Sequence, residues 1–143
     1  MAEKYETFLH RWFEEVWNQQ REDAIDEMFA EEGVANGLRD SEGNFLRGPE
    51  HFKTLHRQFI GAIPDLRITV EDTISEGNKI AARCTCRGTH SGEGLGVAPT
   101  NQPVEFTGMT MVRIENGKIV EAWNEFNFME MYGQLGALTL NLQ

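Results

Sequence analysis

At Pro64 the hydrophobic period of this chain changes, and nothing else in the sequence constrains the fold as strongly. Before it, apolar residues recur three and four apart, the repeat of a helix with one buried face. After it, they alternate with polar residues, the repeat of a half-buried strand. In the first part, Tyr5, Phe8, Leu9, Trp12, Phe13, Val16 and Trp17 form one apolar stripe, with Glu3, Glu6, Arg11, Glu14 and Glu15 opposite. A second, shorter helix is expected from Glu22 to Ala30, with Ile25, Met28 and Phe29 inward. Glu32-Gly33 closes it, because glycine takes the left-handed terminal turn without a Cβ clash. The third opens at Gly48-Pro49-Glu50, where proline suits the first helical position, and runs to Ala62. Its stripe is Phe52, Leu55, Phe59, Ile60 and Ile63.

Beyond Pro64, Leu66, Ile68 and Val70 alternate with Arg67, Thr69 and Glu71, and Glu76-Gly77-Asn78 turns the chain into a strand from Lys79 to Thr89. There Ile80, Ala82, Cys84 and Cys86 share one face, and Arg83, Thr85 and Arg87 the other. The Gly-rich stretch His90 to Gln102 is long for a hairpin loop, and loops of that length are disproportionately functional. Strands from Val104 to Ile114 and from Lys118 to Asn127 flank the tight-turn signal Glu115-Asn116-Gly117, and Phe128 to Leu138 reads as a terminal helix. Val34 to Leu38 reads as a brief strand. The expectation is one α+β domain over residues 1–143, with three N-terminal helices packed on one face of a bent antiparallel sheet.

Charge narrows the partners. Lys plus Arg number 13 and Asp plus Glu 23, a net charge of −10, which repels phosphate backbones and anionic lipid. No apolar run approaches the roughly 20 residues of a membrane span, and Met1 to Phe8 lacks a basic patch followed by an apolar core, so a cytoplasmic protein without a leader is expected. Cys84 and Cys86 are the only cysteines; a pair cannot close a four-ligand zinc site, and they read as small core residues. Phosphate-loop, nucleophile-elbow and zincin motifs are missing, so neither a metal nor a cofactor is expected.

Five segments carry a family resemblance: EVWNQ (Glu15 to Gln19), IPDLRITVEDTI (Ile63 to Ile74), GTHSGEGLGVAPTNQPVEFTG (Gly88 to Gly108), RIENGKIVEAW (Arg113 to Trp123) and QLGAL (Gln134 to Leu138). In order and over nearly the whole chain, they resemble the SnoaL-like polyketide cyclase, or ester cyclase, family. The resemblance implies the nuclear-transport-factor-two-like fold, a cone-shaped α+β roll with a pocket between sheet and helices, commonly dimeric through the sheet. It also implies a cofactor-free intramolecular aldol ring closure, in which a carboxylate serves as acid and base in an apolar pocket. The family pattern puts an Asp four residues after the Trp of E-x-W; here that position is Asn127, an amide that transfers no proton near neutral pH.

The candidate site follows from these readings. On a regular strand Ile119, Glu121, Trp123, Glu125 and Asn127 share a face, which makes Glu125 the nearest substitute base; one bulge reverses that assignment. His90 follows Cys86 and Gly88 at even spacing and is the second acid–base candidate. Asn18, which in the family pattern reaches the pocket from the first helix, is a binding candidate with Trp17, Trp123, His56 and Arg113. Each has a structural alternative: Asn18 as a helix terminus, His56 as a satisfied core histidine, Arg113 as a cross-strand partner for an acid, Trp123 as core. The expected activity is proton abstraction beside a carbonyl of a hydrophobic compound, with Glu125 or His90 as base and Asn127, Asn18 or Arg113 polarising the oxygen. Open beside it are a cofactor-free hydroxylase or isomerase, and a non-catalytic binder of a lipophilic small molecule. A homodimer is expected through Arg83, Thr85 and Arg87 with Arg67, Thr69 and Glu71.

Overall fold

A computed structural model describes residues 5–137. Helix α1 (Phe8–Trp12) starts at Thr7, whose hydroxyl accepts from the His10 amide, and runs on as a π-helical segment, Phe13–Asn18. The wider turn of that segment, seen in the Gln19 N–H donating to the Glu14 carbonyl at 2.8 Å, leaves Trp12, Phe13, Val16 and Trp17 all buried. Helix α2 (Glu22–Met28) ends earlier than its apolar stripe suggests, because Phe29 is already extended and opens strand β1 (Phe29–Arg39). The expected strand at Val34 to Leu38 is therefore the second half of an 11-residue one. Strand β2 (Phe45–Arg47) leads into α3 (Gly48–Ala62), and then come β3 (Arg67–Glu76), β4 (Lys79–Thr89), β5 (Pro103–Glu115), β6 (Lys118–Phe126) and α4 (Phe128–Gln134). The far end of the expected terminal helix, Leu138, lies outside the described residues.

The six strands form one curled sheet in the order β2-β1-β6-β5-β4-β3. The meander β3 to β6 is antiparallel, as the period and turn signals require, but β1 runs parallel to β6, so the sheet is mixed rather than purely antiparallel. Parallel neighbours need a long crossover, and here α3 and the whole meander supply it. One sheet face packs on the helices through a continuous set of aromatic rings. Phe52 of α3 sits 5.3 Å from Trp12 and 5.4 Å from Phe29, ring centroid to centroid, and 6.2 Å from Trp17. These are edge-to-face and tilted contacts, each adding about 0.5–1.5 kcal/mol beyond simple burial.

Two contacts fix the ends of this packing. The loop after β4 crosses the last turns of α3 with backbone against backbone: a Cβ on Gly92 would stand 1.9 Å from the Gly61 carbonyl oxygen, so only glycine fits. At the opposite edge, Asn18 acts as one residue of an extra strand. Its amide donates to the Ile68 carbonyl at 2.9 Å, and its carbonyl accepts from the Ile68 N–H at 2.7 Å, closing the free edge of β3. Asn18→Ala is expected to lower stability by about 1–3 kcal/mol, since it leaves both backbone groups unpaired. An unchanged urea midpoint would show that water replaces the amide without loss.

Candidate functional site

The position of the site depends on one residue in β6. Across β5, Val112 faces Ala122 and Arg113 faces Glu121, but the next pair is Ile114 with Ile119, so Val120 is an extra residue without a partner. The bulge reverses the face of everything after it. Ala122, Asn124 and Phe126 join Ile119 on the helix side, while Glu121, Trp123 and Glu125 take the outer side. Opposite Phe126 stands Gly108, where a Cβ would fall 2.1 Å from the phenyl ring. The missing side chain lets the ring lie flat on β5.

Between that sheet face and the helices is a cavity walled by Trp12, Trp17, Phe52 and Phe59 from the helical side and by Phe106, Phe126 and Phe128 from the sheet and α4. Its empty volume, open mouth included, is about 610 Å³. It is an aromatic-lined slot. Its polar side chains are Thr110 and Asn124, directly opposite each other across β5 and β6. The Thr110 hydroxyl donates to the Asn124 side-chain carbonyl at 2.8 Å, and the Asn124 amide donates to the Asn36 carbonyl at 3.0 Å. This fixes the amide plane and leaves its second N–H and the threonine lone pairs available. Cys86 also lines the slot. Burial pushes the Cys84 thiol up to about 12 and raises Cys86 as well, so neither is a thiolate nucleophile near neutral pH.

The sequence matches the description SnoaL-like polyketide cyclase over residues 7–135. The chain belongs to that family. IdmH from Streptomyces antibioticus, a candidate polyketide cyclase, is similar at 32% identity, over 90% of this chain and 96% of that one, with a TM-score of 0.76. AclR from Streptomyces galilaeus, a candidate hydroxylase, shares 29% identity over 90% of this chain and 83% of its own, with a TM-score of 0.73. A protein from Catenulispora acidiphila with a ketosteroid isomerase-like fold, at 15% identity and a TM-score of 0.75 over 94% of this chain and 96% of that one, shares the fold. No curated protein matches the sequence.

The candidates read from the sequence part company here. Trp17 lines the slot. Asn127, at the family's Asp position, is exposed and caps α4: its carbonyl accepts from the Glu130 N–H and its amide donates to the Glu130 carboxylate, both at 3.0 Å. Glu125 is exposed and Trp123 half-buried on the outer side, where the bulge turns them. Arg113 pairs with Glu115 at 2.6 Å and Glu121 at 3.6 Å, the cross-strand alternative. His56 donates from Nε2 to the Val16 carbonyl at 2.7 Å, capping the end of the first helix; burial lowers its pKa, so the ring is neutral. Asn18 faces a shallow outer groove with Arg67 and Thr69, not the slot. His90 is wholly buried, its Nδ1 accepting from the Thr100 N–H at 3.2 Å, which puts the proton on an Nε2 with no partner. Ile63, packed over Gly88, fills the space between His90 and Cys86 on that face.

Asn124 escapes a reading that carries regular alternation through the bulge in β6, whereas Thr110, on β5, does not depend on that bulge. The available signal was β5, whose unbroken alternation Phe106, Gly108, Thr110, Val112 points Thr110 inward. No helix among the described residues is long and apolar enough to cross a membrane.

Both thiols are expected to resist iodoacetamide in the native protein at pH 8 and to react fully in guanidinium. The unfolded chain, with thiols near 9.0, releases their protons before the folded one does, so stability falls as pH rises from about 9 towards 12. Rapid native labelling, or a stability flat over that alkaline window, would contradict the sealed placement.

Proposed function

We propose that this chain is a ring-closing enzyme for a flat, hydrophobic carbonyl compound. The substrate lies in the aromatic slot, and Thr110 and Asn124 hold its carbonyl or developing enol oxygen. The observation that carries the reading is the hydrogen-bonded Thr110–Asn124 pair at 2.8 Å, set as the polar patch of an otherwise apolar, ring-lined cavity. Family membership supplies the reaction class, and IdmH, similar over nearly its whole length, is a candidate cyclase.

None of the described side chains lining the slot is a carboxylate or an imidazole. The contribution these side chains can make to ring closure is therefore geometric and electrostatic. Stacked rings hold the chain of the substrate folded, so that the two reacting carbons meet, and a fixed amide and hydroxyl meet the oxygen where charge develops. The same observation favours a second reading, a binder of a lipophilic compound that performs no chemistry.

Removing one preorganised donor of this kind costs about 10²–10³ in kcat. Asn124→Ala is expected to show a loss of that order in ring closure of a linear aromatic polyketide ketone, and Glu125→Gln a change of less than about twofold. The opposite pattern, with Glu125→Gln inactive and Asn124→Ala active, would overturn the reading. Tight binding without turnover across a panel of such ketones would select the binder.

The outer sheet face is the proposed dimer surface. It exposes Met109 and Met111 among the pairs Arg83–Asp72 and Arg87–Glu105, a mixture that can match a two-fold copy of itself. Light scattering at micromolar concentration should give twice the 16.3 kDa chain mass, and Met109→Asp should return the monomer. A monomeric wild type would remove the proposal.

A further inference from the structure

Parallel pairing between β1 and β6 ends at Asn36 and Trp123, yet the two strands stay in contact one residue further on. At that end two side-chain amides bond across the junction. Asn36 donates from Nδ2 to the Ala122 carbonyl at 3.1 Å, and Asn124 donates from its own Nδ2 to the Asn36 carbonyl at 3.0 Å. The exchange is reciprocal, but the two side chains lie on opposite faces. That of Asn36 is on the outer side, where it also donates to Glu121 Oε2 at 3.1 Å, and that of Asn124 lines the slot. Asn36 thus holds the outer face with its side chain and the polar pair of the slot with its main chain. Gly37 lets the strands come this close: its φ is +87°, and a Cβ there would stand 2.0 Å from the Asn124 main-chain oxygen.

This contact decides which way round the Asn124 amide sits. Thr110 cannot make that choice, because a hydroxyl donates to Oδ1 or accepts from Nδ2 equally well. A main-chain carbonyl only accepts, so the Asn36 oxygen takes Nδ2 and turns Oδ1 towards Thr110. Oδ1 only accepts as well, so the Thr110 hydroxyl must give it its one hydrogen, at 2.8 Å. With the Asn36 carbonyl moved away, the reversed amide would bond Thr110 just as well, and the hydroxyl hydrogen would point elsewhere.

We propose that Asn36 is a positioning residue for the slot. Its side chain, held by Ala122 and Glu121, keeps its carbonyl against β6, and that carbonyl sets the polarity of the Thr110–Asn124 pair. The proposal rests on the reading of the pair as the site that meets the ligand oxygen. It extends that reading to a residue outside the lining of the slot.

Asn36→Ala tests it with two readouts. The first is the Asn124 side-chain amide in a ¹H–¹⁵N spectrum, identified by its loss in Asn124→Ala. Its bonded proton should exchange with water about 3- to 10-fold faster in Asn36→Ala than in the wild type, the effect of one net hydrogen bond. The second is a double-mutant cycle on ring closure of the linear aromatic polyketide ketone. In the wild-type background Asn36→Ala should lower kcat about 3- to 10-fold and leave KM within about twofold, because the pair meets charge that develops in the transition state. In the Asn124→Ala background it should cost nothing further. A residue that only supports the fold would cost the same in both backgrounds. That result, or an amide whose exchange Asn36→Ala leaves unchanged, would overturn the proposal. Asn36→Ser, whose hydroxyl arm is one bond shorter than the amide, gives the same readings where the alanine chain does not fold. A wild type that binds the ketone without turning it over would remove the ring-closing reading alone. The cycle is then read on ketone affinity, with the same loss expected beside Asn124 and none beside Asn124→Ala. A ketone that does not bind the wild type at all would remove the site and the proposal together.

Discussion

The extra residue at Val120 governs what the interior of this protein can contain. A regular β6 would carry Glu121, Trp123 and Glu125 into the space beneath the helices, next to Phe52 and Phe59. Two carboxylates desolvated there without cationic partners would cost far more than one unpaired strand residue, so the bulge is the cheaper arrangement. With it, Ala122 fits against Val112, Asn124 meets Thr110, and Phe126 lies on Gly108. Glu121 finds Arg113 and the Asn36 amide on the outer side instead. The neutral character of the slot is thus a consequence of strand register.

The helical half of the wall is held by polar contacts at its back. The π-helical segment after Trp12 turns both tryptophans inward, but it leaves carbonyls at its end that a regular helix would also leave open. His56 takes the one on Val16, and Asn18 takes both backbone groups of Ile68, so the segment is pinned to α3 and to the edge strand β3. Glu15, itself buried, pairs with Arg11 and Arg21. Its pKa is lowered despite the opposing effect of burial, the largest single influence, because hydrogen bonds and the two guanidinium charges together outweigh it. These residues belong to the frame that holds the rings of the slot in place.

How much of this was legible in the sequence differs from element to element. The meander and α3 were readable nearly to the residue, because Pro64, Asn116-Gly117 and the Phe52 stripe are local signals of period and turn. Strand β1 was not. Beyond its short partner β2 it pairs with β6, more than 80 residues away, and its Gly33 and Gly37 break the alternation that would have announced it. The slot itself was half legible. Its aromatic lining follows from the helix stripes, and Thr110 from β5, whereas Asn124 depends on a bulge that no residue of Lys118-Ile119-Val120 signals. Local patterns report faces of regular elements, and an irregularity imposed by distant packing stays invisible to them.

The amide at Asn127 has a physical account of its own. It begins α4 by accepting the Glu130 N–H, a task an aspartate would perform equally well. Its other half donates to the Glu130 carboxylate, which an aspartate would repel. The chain thus places an acid at Glu130 and an amide at Asn127, a side-chain pair that suits asparagine and disfavours an aspartate, while the Asn127 backbone N–H goes to the Thr107 carbonyl. Capping matters here beyond α4, since Phe128, the first residue of that helix, packs against Phe59, Phe106 and Phe126 and closes one side of the slot. In this chain the position to which the family resemblance assigns an aspartate is held by the cap of a wall-building helix, and the slot's polar side chains are Thr110 and Asn124. The described side chains that line the slot carry no charge, so its polarity is that of a hydroxyl and an amide that hold each other in place.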